Sequence, residues 1–161
     1  MSVKEISYKI ELGFHQLLDR YSIQLLELSI GLIYLWFGIL KFFPGGSPAE
    51  VLAANTMQVI TFHLVDPTWL IKALATWEGF IGLCLVLGFK PKYILYLLLI
   101  HIGGTLSPIF IFPEQVFVYS PFGFTLVGQY IMKNFIVISA TLVIFSKSNN
   151  IAVNKKNRRQ V

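Results

Sequence analysis

Four side chains stand out because each falls near the middle of a long apolar stretch: Tyr34, Glu78, His101 and Lys133. A phenol, a carboxylate, an imidazole and an ammonium together can move protons and stabilise developing negative charge. An imidazole titrates near neutral pH, and burial raises a carboxyl towards that range. Asp, Lys or Arg at bilayer mid-depth costs about 2.5–3.5 kcal/mol on insertion scales. Such groups therefore face a bundle interior, pair with one another or line a wet cavity. Glu78, His101 and Lys133 form the candidate catalytic centre, with Glu78 and His101 moving protons and Lys133 neutralising charge. The competing reading is a Glu78–Lys133 ion pair that only sets helix register. Whether the centre catalyses a reaction is left open by the residue types.

Further polar residues surround this layer as candidate ligand contacts: Tyr34, Lys41, Lys72, Gln129 and Asn134. Lys41 and Lys72 lie about 9–10 Å from the midpoints of their stretches at 1.5 Å per residue. There they either attract an anion or snorkel to headgroups. Helical spacing places Glu27, Gly31, Tyr34, Gly38 and Lys41 on one stripe. It does the same for Ala75, Glu78 and Gly82, for His101, Gly104, Thr105 and Pro108, and for Thr125, Gln129, Lys133 and Ala140. Bis-histidine haem is excluded because only His101 lies within a stretch, and no Cys/His set has metal-site spacing. Cys84, the sole cysteine, cannot perform dithiol exchange. His63 is expected in an exposed loop.

The elements that must position these groups follow from composition. Of 161 residues, 55% are hydrophobic and only 13% charged, against about 25% charged in an average soluble domain. Mean hydropathy is +0.69. These values exclude a disordered chain and a small soluble domain, and the single cysteine, Cys84, excludes a disulfide scaffold. About 20 apolar residues span a bilayer, and four stretches qualify: 25–43, 68–89, 93–112 and 124–145. Prolines mark their ends, and Pro108 is expected to kink or shorten the third. The predicted fold is an all-α membrane protein, a four-helix bundle with small residues for close packing.

Ten of the 13 Lys and Arg lie before the first span, between the second and third, or after the fourth. The positive-inside rule then places both termini in the cytoplasm. Topology and anionic lipid thus account for the net charge of +5, and no nucleic-acid partner is expected. No cleavable signal peptide is expected, since the first 20 residues carry charges throughout. Residues 1–23 carry Ile6, Ile10, Phe14, Leu17 and Tyr21 at helical spacing, which predicts an interfacial helix or a cytosolic extension of the first span. Residues 24–146 form the membrane domain, and the basic tail 147–161 is predicted disordered. Between the first two spans, Ser47-Pro48-Ala49-Glu50 predicts a capping box and a short outer lid helix over 48–62. Aromatic residues between Pro113 and Gly123 are expected at headgroup level.

Three segments carry a resemblance. Leu28 to Gly46 resembles the first helix of the DoxX-like superfamily, with Gly38 and Lys41 matching its Gly-x-x-Lys end. Trp77 to Phe89 is similar to the second helix, with Glu78 and Gly82 matching. Ser107 to Phe117 and Tyr130 to Ile144 resemble the branch of RclC-type inner-membrane proteins linked to reactive-chlorine resistance. Lys133 matches that branch's last helix, but Asn134 stands where the branch has an acid. The resemblance implies a cytoplasmic-membrane protein of redox homeostasis or oxidative-stress defence, and the superfamily includes a subunit of thiosulfate:quinone oxidoreductase. Three functions are compatible with this sequence. The first binds a quinone headgroup or a small anion in the polar core. The second transports a small solute or protons as a homo-oligomer. The third is an accessory subunit that scaffolds a membrane redox enzyme. No cofactor is evident, a quinone is compatible with the polar core, and the bilayer is the one partner the composition requires.

Overall fold

The computed structural model describes residues 3–43, 45–47, 49–89, 92–119 and 121–157. In chain order the elements are α1 (Val3–Leu40), α2 (Glu50–Ile60), α3 (Pro67–Val86), α4 (Lys92–Leu106), α5 (Pro108–Ile111), α6 (Pro113–Val116), β1 (Phe117–Tyr119), β2 (Gly123–Phe124), α7 (Leu126–Met132) and α8 (Asn134–Asn157). Four helical stretches are long and apolar enough to cross a membrane: Lys4–Leu40, Pro67–Val86, Lys92–Ile111 and Leu126–Lys147. The described chain is therefore nearly all helix, with one two-stranded hairpin that the sequence reading did not anticipate.

Local chemistry sets the helix ends. Asp66 caps α3 by accepting a 2.8 Å hydrogen bond from the Thr68 N–H, with Pro67 at the first helical position. Hydrogen bonding to Thr68 also holds the Asp66 carboxyl below the usual carboxylate range. Thr125 caps α7 by accepting from Gly128 N–H at 3.0 Å. Leu106 ends α4, and Pro108 opens α5 where its missing N–H removes no helical bond. The lid helix α2 forms, but the predicted capping box does not. Helix α2 begins at Glu50, whose carboxylate accepts from Gly45 N–H at 3.0 Å instead of capping its own helix. Pro48 lies outside the described residues.

The chain ends decide one alternative and correct one expectation. Helix α1 is unbroken over 38 residues, about 57 Å at 1.5 Å per residue, so residues 3–23 extend the first long helix and do not form a separate interfacial element. Helix α8 runs to Asn157, so the part of the tail that was expected to be disordered is helical over 147–157. Residues 158–161 lie outside the described residues.

The main apolar core gathers Ile30 and Tyr34 of α1, Ile81 and Leu85 of α3, Leu98 and Ile102 of α4, and Ala140 and Ile144 of α8. A smaller cluster joins Leu52 of the lid to Val116 and Ile131, closing one mouth of the bundle. The closest packing is between α1 and α3. A methyl group added at Gly38 would lie 2.6 Å from the Gly79 backbone nitrogen, and one at Gly31 would lie 2.9 Å from Leu85 Cβ. One at Gly82 would run into the Leu35 backbone nitrogen. Two antiparallel helices can meet this closely only where side chains are absent. Gly79 itself has open space at its own Cβ position. Gly82→Ala is therefore expected to lower stability by about 1–3 kcal/mol through overpacking, and Gly79→Ala to leave it nearly unchanged. Thermal unfolding of both variants in the same detergent checks this pair.

Candidate functional site

The glycine contacts dictate which polar residues of α1 and α3 meet. Gly38 lies opposite Gly79, and Leu35 opposite Gly82. In this antiparallel register Lys41 falls within one turn of Glu78. Side chains on a helix lean towards its N-terminus, so the Lys41 chain leans back into the bundle from the end of α1. Glu78 leans the opposite way from α3, and the two heads converge. Lys41 Nζ donates to Glu78 Oε2 at 2.5 Å.

The other carboxylate oxygen faces α4. His101 Nε2 lies 2.9 Å from Glu78 Oε1, and His101 Nδ1 lies 3.2 Å from the Tyr34 hydroxyl. With Nε2–H donating to the carboxylate, Nδ1 accepts from the Tyr34 O–H. The Tyr34 and His101 rings also meet edge to face, with centroids 5.2 Å apart. The result is one line of hydrogen bonds, Tyr34–His101–Glu78–Lys41, drawn from three helices. None of the four residues is more than 9% exposed. No described buried side-chain nitrogen or oxygen lacks a partner, as a low-dielectric interior requires. The line can shift a proton along its length without moving a heavy atom far.

The sequence-predicted site residues divide into two groups. Tyr34, Lys41, Glu78 and His101 come together. Lys133 does not: it is exposed, with Nζ 4.0 Å from the centroid of the Tyr130 ring, and the expected Glu78–Lys133 pair is replaced by Glu78–Lys41. The cause is a change of buried face. Helix α7 buries Gly128 and Ile131, whereas α8 buries Ala140, Thr141 and Ile144. At about 100° per residue these sets lie on roughly opposite sides of one helix. The chain breaks between them at Lys133, so the stripe through Thr125, Gln129, Lys133 and Ala140 is not one face. Gln129 is exposed as well. Asn134 Nδ2 donates to Thr105 Oγ1 at 3.0 Å, tying α8 to α4 away from the charged line. Lys72 is exposed, its Nζ 5.0 Å from the Trp69 ring centroid.

Trp77 was missed by sequence reasoning. Its ring centroid lies 6.5 Å from that of His101, and the residue is 38% exposed. Its place immediately before Glu78 was the available signal. Gly104, one turn from His101, has open space where a side chain would stand. Trp77 and Gly104 leave the α3–α4 edge of the site less enclosed than its centre. Among the described residues no group of three or more His, Cys, Asp or Glu is placed to hold a metal ion. Comparison with protein-family models, with curated proteins and with solved structures finds no match to this chain.

Removing one partner of a buried ion pair strands the other charge, at a typical loss of about 3–5 kcal/mol. Lys41→Met and Glu78→Gln are each expected to fall in that range. The double variant should recover much of the loss, giving a coupling that a double-mutant cycle measures. Lys133→Met should change stability by no more than about 0.5 kcal/mol, as for other exposed substitutions.

Proposed function

We propose that this chain is a multi-pass protein of the cytoplasmic membrane, with both termini inside, that binds a quinone headgroup beside His101 and exchanges protons with it. The observation that carries the reading is the buried Tyr34–His101–Glu78–Lys41 line. A quinone needs a flat apolar seat for its ring and a hydrogen-bonding group at a carbonyl oxygen. Trp77 supplies an aromatic wall and the bare backbone at Gly104 supplies room, and His101, both of whose ring nitrogens are engaged, supplies the polar contact when a quinol hydroxyl replaces the Tyr34 O–H as donor to Nδ1. The headgroup enters sideways from the lipid along the α3–α4 edge, which suits a ligand whose tail stays among acyl chains.

In this reading Glu78 and Lys41 keep the imidazole oriented and supply a route for the proton. Tyr34 selects the His101 tautomer. The resemblance of the first two spans to the DoxX-like superfamily points the same way, towards redox homeostasis or oxidative-stress defence. The full satisfaction of every described buried polar side chain favours a second reading, in which the line only locks the bundle of a scaffolding subunit.

The test is purification in mild detergent with extraction and identification of bound quinone. Wild type should carry quinone or take it up. Glu78→Gln should lose at least tenfold in occupancy, and Lys41→Met with Glu78→Gln should not regain it even where stability returns. Quinone binding retained in Glu78→Gln would overturn the proposal. Function that recovers together with stability in the double variant would favour the scaffold.

A further inference from the structure

Helix α1 is longer than the bundle it belongs to. Packing against the other helices begins at Ile23, and every residue from Lys4 to Ser22 is exposed. Residues 3–22 therefore carry α1 away from the lid for about 30 Å at 1.5 Å per residue. Ile6, Ile10, Phe14, Leu17 and Tyr21 recur along this extension at spacings of four, four, three and four, and Leu25 and Leu28 carry the pattern into the span. That is an eleven-residue repeat, which keeps the stripe on one side of a nearly straight helix. Leu18 borders the stripe, while Tyr8 and Leu12 stand apart on the other face. The five stripe residues of the extension are 41–68% exposed. Within the span lipid covers such a stripe. Beyond it the stripe meets water, and a continuous row of large apolar side chains in water marks a docking surface.

The bilayer surface is a poor occupant on two counts. Helix α1 is unbroken, so the extension follows the axis of the span and points out of the bilayer instead of lying along it. Its charges are three bases, Lys4, Lys9 and Arg20, and three acids, Glu5, Glu11 and Asp19. It therefore lacks the cationic excess that draws an amphipathic helix to anionic lipid. The placement of the charges fits a second copy of this chain. At about 100° per residue, Lys9 and Arg20 lie about a quarter-turn to one side of the stripe and Glu11 about a quarter-turn to the other. In a two-fold pair of parallel helices, the left flank of one faces the right flank of the other. Lys9 then meets Glu11 of the second copy, displaced by two residues or about 3 Å along the axis. Within its own helix Glu11 Oε1 lies 3.9 Å from His15 Nε2, an exposed contact that rearranges at little cost. An antiparallel pair would instead set basic flank against basic flank. Parallel is also the arrangement that two copies inserted the same way round in one membrane must adopt.

We propose that the extension of α1 is a dimerisation helix. It pairs in parallel and in register with α1 of a second copy through Ile6, Ile10, Phe14, Leu17 and Tyr21, between reciprocal Lys9–Glu11 ion pairs. Ile30 and Tyr34 face the opposite way, into their own bundle, so the pairing leaves the His101 side of each copy uncovered. The proposal rests on the four apolar helices spanning a bilayer and is independent of quinone binding.

Full-length protein with Cys84→Ser, reconstituted at low density in lipid vesicles, tests it by mild oxidation of single-cysteine variants and by counting photobleaching steps of a fluorescent label. Ile10→Cys and Tyr21→Cys, at the centre of the stripe, should each crosslink with their own counterpart, and Asp19→Cys on the opposite face should not. Labelled protein should bleach in two steps. Ile10→Lys with Leu17→Lys should weaken the dimer about tenfold or more. Glu11→Lys should weaken it about fivefold, as expected for two exposed ion pairs turned repulsive, and Lys9→Glu with Glu11→Lys should restore it. Single-step bleaching of the wild type, or crosslinking at Asp19→Cys equal to that at Ile10→Cys, would overturn the proposal. So would a fluorophore at Ile10→Cys that nitroxide-bearing lipids quench, which would give the stripe to the bilayer. Protein stripped from the vesicles by alkaline carbonate would overturn the spanning reading and this inference together, whereas monomers that stay inserted would overturn this inference alone.

Discussion

A carboxylate kept from water has to find its counter-charge and hydrogen bonds within the fold. Glu78 is that carboxylate, and much of the bundle's geometry is set by how it is satisfied. One oxygen takes the Lys41 ammonium and the other the His101 imidazole, so α1 and α4 are both referred to a single point on α3. The Lys41 contact goes with an unusually close approach of α1 to α3. Gly31, Gly38 and Gly82 remove the side chains that would hold α1 and α3 apart, and their register brings Lys41 level with Glu78. Close packing and charge pairing thus support one arrangement, which is how a native sequence limits its alternatives.

The fourth span acts from the far side. Helix α8 packs Ala140 and Ile144 into the main core beside α4, and Asn134 bonds Thr105. These contacts hold α4 so that His101 faces α3 and α1. Further along, α7 turns a different face inward. Gly128 admits the Val116 carbonyl at a distance no side chain would allow, and Ile131 joins Leu52 and Val116 beneath the lid. One span therefore does two jobs, and the residue at their junction, Lys133, faces outward.

The site was legible in part. Glu78 and His101 stood out because an ionisable side chain in a long apolar run needs a reason to be there, and Tyr34 shared their layer. Lys41 was noticed, but hydropathy limits put it a full side chain too far out to be the partner. Depth estimated from span midpoints ignores the lean of side chains and the glycine-set register. Lys133 was drawn to Glu78 by level alone. Level carries no information about which way a helix is turned.

The four long apolar helical stretches and the lid helix could be read from the chain, because transfer of about 20 apolar residues to lipid is a local, additive property. Proline chemistry is local too, so the starts of α3 and α4 and the early end of α4 before Pro108 followed from neighbouring residues. Helix rotation is different. In an apolar medium the lipid-facing and core-facing sides are equally apolar, so the periodicity that reveals a buried face in a water-soluble helix is nearly absent. Which face packs inward is decided by contacts between helices: glycines meeting backbones, and Glu78 finding Lys41 and His101. Those contacts join residues far apart in the chain, and only the folded bundle brings them together.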